Sequence, residues 1–117
     1  MTNGRAAERL AECYLRKQGV LILERNWRCR FGEIDLIARE GDTLLFVEVR
    51  LRSALYYGGA AASIDHYKQK KLQITALCYL KALEACPVCR FDAVAIDAQK
   101  NIHWLKNILP MRVTNDD

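Results

Sequence analysis

The stretch that decides the fold is GEIDLIAREGDTLLFVEVRLR, residues 32–52. Residues 32–39 and 43–51 are rich in Ile, Leu, Val and Phe, which is typical of β-strands. Gly41 and Asp42 between them suit a two-residue loop of type I′ or II′, in which glycine accepts a positive φ. The sequence therefore predicts a tight antiparallel hairpin at the centre of the protein.

The two-residue loop fixes which side chains face each other across the hairpin. It places Asp35 opposite Glu48 and Glu33 opposite Arg50, all on one face because side chains alternate along a strand. The other face, which can cover a helix, carries the apolar side chains Ile34, Leu36, Leu45, Val47, Val49 and Leu51. Opposed carboxylates with Cβ atoms about 5 Å apart repel each other. A divalent cation between them removes the repulsion, since Mg²⁺ and Mn²⁺ prefer hard oxygen ligands.

The alternative interpretation of this face is a solvated sheet surface with scattered charges. It accounts for Glu33 and Arg50 as a cross-strand ion pair. It accounts poorly for Asp35 opposite Glu48, and it leaves Phe46 exposed on the same face. The spacing therefore favours a metal site.

The rest of the chain predicts an α/β (α+β) domain in the order α-β-β-β-α-β-β, with a mixed central sheet flanked by helices. The predicted helices cover 4–18 and the stretch from an N-cap at Ser63 to about 85; the further strands cover 20–28, 89–97 and 101–109. The length suits one domain over 1–117, with 110–117 as a flexible tail.

Charge, hydrophobicity and cysteine content limit the kinds of function that the sequence suggests. A net charge of +4 and a pI of about 8.9 are compatible with a phosphate-bearing partner without requiring one. No apolar run is long enough to span a membrane and the N-terminal residues are polar, so we expect a cytoplasmic protein that needs no membrane. The odd count of five cysteines suggests reduced thiols. Cys86 and Cys89 form one C-x-x-C pair, which leaves a thiol or zinc protein as a third possibility.

Asp35, a gap of twelve residues and then Glu48-Val49-Arg50 resemble the PD-(D/E)XK nuclease motif, with Arg in place of the usual Lys. GEIDLI, FVEVR and GGAAASIDHYKQKKL are similar to the bacterial YraN-like family of inferred endonucleases, over roughly residues 4–105. That family is in turn similar to archaeal Holliday junction resolvases. The resemblance implies a restriction-endonuclease-like core.

The resemblance also implies roles for individual residues. Asp35, Glu48 and the backbone carbonyl of Val49 would ligate Mg²⁺ or Mn²⁺. Glu8 would be the acid that the first helix adds to such sites, and Glu33 would support the ligands or orient Arg50. Since arginine stays protonated, Arg50 would act through charge alone, and an amine from Lys68, Lys70 or Lys71 would compensate for the missing lysine.

The expected partner is DNA, with branched or junction DNA favoured by the resemblance, and a homodimer is expected by analogy. The candidate DNA contacts are basic residues on the first helix, after the hairpin and at the start of the long helix: Arg5, Arg52, Lys68, Lys70 and Lys71. No G-K-[S/T] loop is present, so no nucleotide cofactor is expected. The predicted function is metal-dependent, structure-selective DNA cleavage. The alternative is a nucleic-acid-binding module that cuts weakly or not at all because of Arg50.

Overall fold

The computed structural model describes residues 4–51 and 66–111. Along these ranges run α1 (Gly4–Lys17), β1 (Leu21–Cys29), β2 (Gly32–Glu40), β3 (Thr43–Leu51), α2 (His66–Leu83), β4 (Cys89–Ile96) and β5 (Ile102–Leu109). The order α-β-β-β-α-β-β confirms the prediction. The proposed N-cap at Ser63 lies outside the described residues.

The five strands form one mixed sheet in the order β1-β2-β3-β4-β5. Strands β3 and β4 are parallel and the other neighbours are antiparallel, so α2 belongs to the crossover that a parallel pair requires. Each face of the sheet is covered by one helix. The α1 face buries Ala7, Ala11, Leu15, Leu36, Leu45 and Val47, among others. The α2 face buries Ile37, Phe46, Leu72, Ala76, Tyr79 and Phe91, among others.

The predicted hairpin turn between β2 and β3 is present. Glu40 pairs with Thr43, and the same register continues to Leu36 and Val47. Gly41 has a φ of 60° while Asp42 is not among the residues with positive φ, which matches a type II′ turn. The paired ladder ends one position before Asp35 and Glu48. There the Val49 amide donates instead to the Asp35 carboxylate, with N···Oδ2 at 2.9 Å.

Beyond the end of this ladder the predicted alternation of faces fails. Ile34 was expected beside Leu36, but it packs on the α2 face with Ile37 and Phe46. Opposite Asp35, Asn26 of β1 has a left-handed backbone with φ of 51°, which interrupts the pleat between the pairs on either side. As a result, the polar residues of β2 and β3 do not share one flat face.

One further expectation about this face was wrong, and the alternative of a solvated face also fails. The ladder between β2 and β3 does not extend to Glu33 and Arg50, and Glu33 pairs with Arg28 of β1. Phe46 is fully buried beneath α2, so this side of the sheet is not a solvated surface. The acidic residues therefore lie at the end of a covered sheet.

At the C-terminus, the first two residues of the predicted tail are packed. The Gln73 amide donates to the Pro110 carbonyl oxygen at 2.8 Å, and Met111 contacts the core of the α2 face. Residues 112–117 lie outside the described ranges. Neither of the two described helices is long and apolar enough to cross a membrane.

Candidate functional site

Asp35 is the centre of the candidate site. Burial is the main cause that raises the pKa of its carboxyl, to about 7, and the negative charge of Glu48 is the next. Glu8 and Glu33 raise the pKa further, while the hydrogen bond from the Val49 amide lowers it. The charge of Asp35 is thus opposed by three other carboxylates, which come from α1, β2 and β3.

Glu48 meets two basic side chains from different elements. Its side chain is almost fully buried, and its Oε2 lies 3.1 Å from Lys68 Nζ and 3.9 Å from Arg50 Nη1. Lys68 comes from the first turn of α2, so the crossover brings an amine to the end of β3. The sequence predicted Lys68 as a basic contact or compensating amine, but not its pairing with Glu48.

Asn26 joins the other two acids. Its Nδ2 donates to Glu8 Oε1 and to Glu33 Oε2, each at 3.0 Å. Glu33 Oε1 is also 3.7 Å from Arg28 Nη2, across an exposed edge. The left-handed backbone of Asn26 therefore places an amide between a helix acid and a strand acid. Sequence reasoning missed this residue, although asparagine inside a strand-like stretch is a signal, because asparagine tolerates positive φ.

Two basic hollows flank the acid cluster. The first, of about 550 Å³ along α1 and β1, includes Arg5, Arg9, Arg16 and Arg25 together with Glu8, Glu12 and Asn26 in its lining. Glu12 pairs with both Arg16 and Arg25. The second, of about 350 Å³ between β2 and α2, includes Glu33, Lys68 and Lys71 together with Gly32 and Tyr67. Positive side chains beside a carboxylate cluster suit a phosphate chain that approaches a metal site.

The remaining predicted DNA contacts do not lie together. Lys71 lies in the second hollow, with its Nζ 5.7 Å from the Tyr67 ring centroid. Lys70 instead lines a separate hollow with His66, Gln73 and Pro110. Arg52 lies outside the described residues.

The donor set fits a divalent cation in ligand type. Asp35 and Glu48 offer hard carboxylate oxygens from adjacent strands, and the pKa of Asp35 is raised first by burial and then by the negative charge of Glu48. Within residues 4–51 and 66–111, no three His, Cys, Asp or Glu side chains lie in a ready-made metal-holding group, and that holds around Cys86 and Cys89 too. A cation would thus rely on two protein carboxylates, with the remaining positions filled by backbone, water or substrate oxygen, as Mg²⁺ commonly does.

The fold and the site define a class of protein: a mixed α/β domain whose second and third strands and first helix bring carboxylates together between two basic hollows. The chain belongs to the family described as "Uncharacterised protein family UPF0102", whose model matches residues 7–96. This confirms the YraN-like family predicted from the sequence.

Relatives of this family match along most of their length. A UPF0102 protein of Herminiimonas arsenicoxydans is 50% identical over 106 residues, which cover 91% of this chain and 85% of the relative. One from Janthinobacterium sp. (strain Marseille) is 52% identical with the same coverage. A third, from Nitrosomonas europaea, is 52% identical over 89% of this chain and 90% of its own.

Proposed function

We propose that the protein is a metal-dependent, structure-selective DNA endonuclease. The observation that carries this proposal is Asp35, a half-buried carboxyl whose pKa is raised to about 7 by burial and by the surrounding acids Glu48, Glu8 and Glu33. A fold gains no stability from such a cluster. Carboxyls whose pKa is strongly raised by burial and by neighbouring acids are instead common at catalytic and metal sites.

In this proposal, different residues of the chain bind the metal ion and orient its ligands for phosphodiester cleavage. A divalent cation, when bound, supplies charge neutralisation for the phosphate and acidifies water. Asp35, Glu48 and the Val49 carbonyl would hold it. Glu8 on α1 would add a further carboxylate, and Asn26 keeps that carboxylate oriented through the 3.0 Å hydrogen bond.

Lys68 supplies the ammonium group that the PD-(D/E)XK motif normally has at the position of Arg50. Arg50 remains charged and lies 3.9 Å from Glu48, so it can position a phosphate through charge. Lys68 brings a compact ammonium to within 3.1 Å of the same carboxylate from the opposite helix. A substrate phosphate that enters the hollow of Lys68 and Lys71 would meet this ammonium before it reaches the acids.

DNA is the proposed partner because both hollows present Arg or Lys next to the acids, which suits backbone contacts without base readout. The preference for branched or junction DNA, the homodimer and a role in recombination or repair come from the family resemblance and are proposed with it. The cytoplasmic location is proposed from the polar N-terminal residues and the lack of a long apolar run.

Cleavage of branched, flapped and linear DNA in Mg²⁺ or Mn²⁺ tests the proposal. The parent protein should cut, Asp35→Asn should lose at least about a hundredfold in rate, and Lys68→Ala should lose about ten- to a hundredfold. Lys70→Ala is the matched control, since Lys70 lies on the same helix but in a separate hollow. Equal cutting by the parent and Asp35→Asn would refute the site.

The second candidate is a nucleic-acid-binding module of the same fold. The observation in its favour is that Lys68 and Arg50 already neutralise Glu48, the carboxylate that a metal would need. This candidate predicts salt-dependent DNA binding without cutting, and cutting that appears in Arg50→Lys. Binding and cleavage measured on the same preparations separate the two functions.

A further inference from the structure

Tyr67 carries the most exposed aromatic ring in the part of the chain that the structure describes. It belongs to the first turn of α2, and its relative exposure is 73%. A single exposed apolar residue is common on protein surfaces and needs no explanation by itself. Tyr67 differs by its position, because it lines the hollow of Lys68 and Lys71 between β2 and α2.

The hollow beside Tyr67 has buried side chains at its base. Leu72 and Thr75 are both buried, and they line the hollow together with Gly32. A Cβ at Gly32 would lie 2.8 Å from Thr75 Oγ1, so glycine permits the close approach of β2 to α2 at this point. The hollow measures about 350 Å³. That volume lies near the lower end of the range for small-ligand pockets, about 300–1,000 Å³, and suits one ligand group.

Lys71 and Lys68 give the hollow its positive charge. Lys71 Nζ lies 5.7 Å from the Tyr67 ring centroid, one helical turn further along α2, which is within reach of a cation–π contact. Lys68 Nζ lies 3.1 Å from Glu48 Oε2. Glu33 is the acid in this lining, and its two carboxylate oxygens already have an amide donor and a guanidinium nearby. One ammonium therefore lies beside the exposed ring, and a second connects the hollow to the acid cluster.

We propose that Tyr67 is a stacking surface for one unpaired base of DNA, with Lys71 in contact with the adjoining phosphate. Every base has a face that stacks on an aromatic side chain, whatever its identity, and phosphates are bound by Lys and Arg. Tyr67 and Lys71 present these two kinds of contact side by side. A base inside a duplex is already stacked on its neighbours, so the contact selects DNA that carries an unpaired nucleotide.

This inference rests on the proposed DNA partner and adds the feature by which the DNA is selected. Because Lys68 joins the hollow to Glu48, a nucleotide held on Tyr67 would bring its neighbouring phosphate to the edge of the acid cluster. Selection would then depend on an unpaired nucleotide beside the phosphate to be cut, and not on base sequence. Stacking requires neither metal nor cleavage, so binding measurements test it separately from nuclease activity.

Binding in EDTA tests the stacking contact, since metal-dependent cleavage cannot proceed there. Two fluorescein-labelled DNAs, a full duplex and the same duplex with one unpaired nucleotide, are titrated with protein, and fluorescence anisotropy gives each Kd. The parent should bind the DNA with the unpaired nucleotide at least about fivefold more tightly. Tyr67→Ala should lose this preference and keep the Kd for the duplex, whereas Tyr67→Phe retains the ring and should retain the preference.

A fluorescent base at the unpaired position reports the stacking directly. The emission of 2-aminopurine placed there should be quenched by the parent and by Tyr67→Phe, and not by Tyr67→Ala. Lys71→Ala should weaken binding of both DNAs alike and reduce its salt dependence, because a phosphate contact does not depend on base pairing.

Phe31→Ala is the matched control for the loss of an exposed aromatic ring. Phe31 is 41% exposed but lines a separate hollow with Cys78 and Lys81, so both Kd values should stay unchanged. An unaltered preference in Tyr67→Ala, or an equal loss for both DNAs, would overturn the proposal. A parent that stacks the unpaired base but cuts no DNA in Mg²⁺ or Mn²⁺ would refute the endonuclease and support the stacking surface. Cutting without any preference for the unpaired nucleotide would support the endonuclease and overturn the stacking surface.

Discussion

Neutralising Asp35 should stabilise the metal-free protein in a pH-dependent way. Burial and three nearby acids raise the pKa of this carboxyl from 3.8 to about 7, and a tenfold change in ionisation is worth about 1.4 kcal/mol. The folded protein therefore binds this proton more tightly than the unfolded chain. Its stability falls as the pH rises from about 4 to 7, and the full cost of ionised Asp35 is present above pH 7.

Asp35→Asn removes the charge and keeps an oxygen that can accept from the Val49 amide. By the same relation, the gain in unfolding free energy is up to about 4 kcal/mol at pH 8 and about 1.5 kcal/mol at pH 5. Urea denaturation in EDTA at both pH values measures the difference. Asp42→Asn, in the exposed turn of the same hairpin, should change stability by less than about 0.5 kcal/mol at either pH.

Added metal gives an independent readout on the same samples. With a dissociation constant of about 1 mM, 10 mM Mg²⁺ should stabilise the parent by about 1.4 kcal/mol and leave Asp35→Asn unchanged. An equal gain in stability of Asp35→Asn at pH 5 and at pH 8 would show that ionised Asp35 does not destabilise the folded protein. Equal stabilisation of both proteins by Mg²⁺ would show that Asp35 does not bind the ion.

Three further substitutions test the packing around the site by urea denaturation. Gly32→Ala should cost about 1–3 kcal/mol, since its Cβ would meet Thr75 Oγ1 at 2.8 Å, and Thr75→Ala in the same chain should recover part of the loss. Asn26→Ala should cost about 1 kcal/mol more than Asn26→Gly, because only alanine is strained at a φ of 51°. Asp92→Asn should cost about 3–5 kcal/mol, because it leaves the partly buried Arg90 without its main counter-charge.

Turn residues and the pattern of apolar residues were enough to predict the order of the elements and the central hairpin. Gly41 and Asp42 determined the hairpin loop, and the loop determined the register as far as Leu36 and Val47. The alternation rule then placed Ile34 on the wrong face, because a period-two pattern assumes an unbroken pleat. The break depends on the backbone of Asn26, whose positive φ is a tertiary outcome that strand composition does not reveal.

Contacts of the candidate site were predictable where the residues are neighbours in one hairpin, and not where they come from distant segments. The turn predicts that Asp35 lies near Glu48, whose charge raises the pKa of Asp35. The pairing of Lys68 with Glu48 depends on how α2 crosses the sheet between parallel strands.

The carboxylate of Asp92 shows how this fold can satisfy a buried acid with its own hydrogen-bond donors. Asp92 on β4 is fully buried and accepts hydrogen bonds from the Arg90 guanidinium, the Trp104 indole and the Asn107 amide. Asp35 lies two strands away. Among the described residues, its carboxylate accepts one hydrogen bond, from the backbone amide of Val49, and the charges of nearby acids act on it. The sheet can therefore supply several donors to a buried acid where stability requires them. Their scarcity at Asp35, beside a broken ladder and a left-handed Asn26, leaves carboxylate oxygens that a cation is suited to occupy.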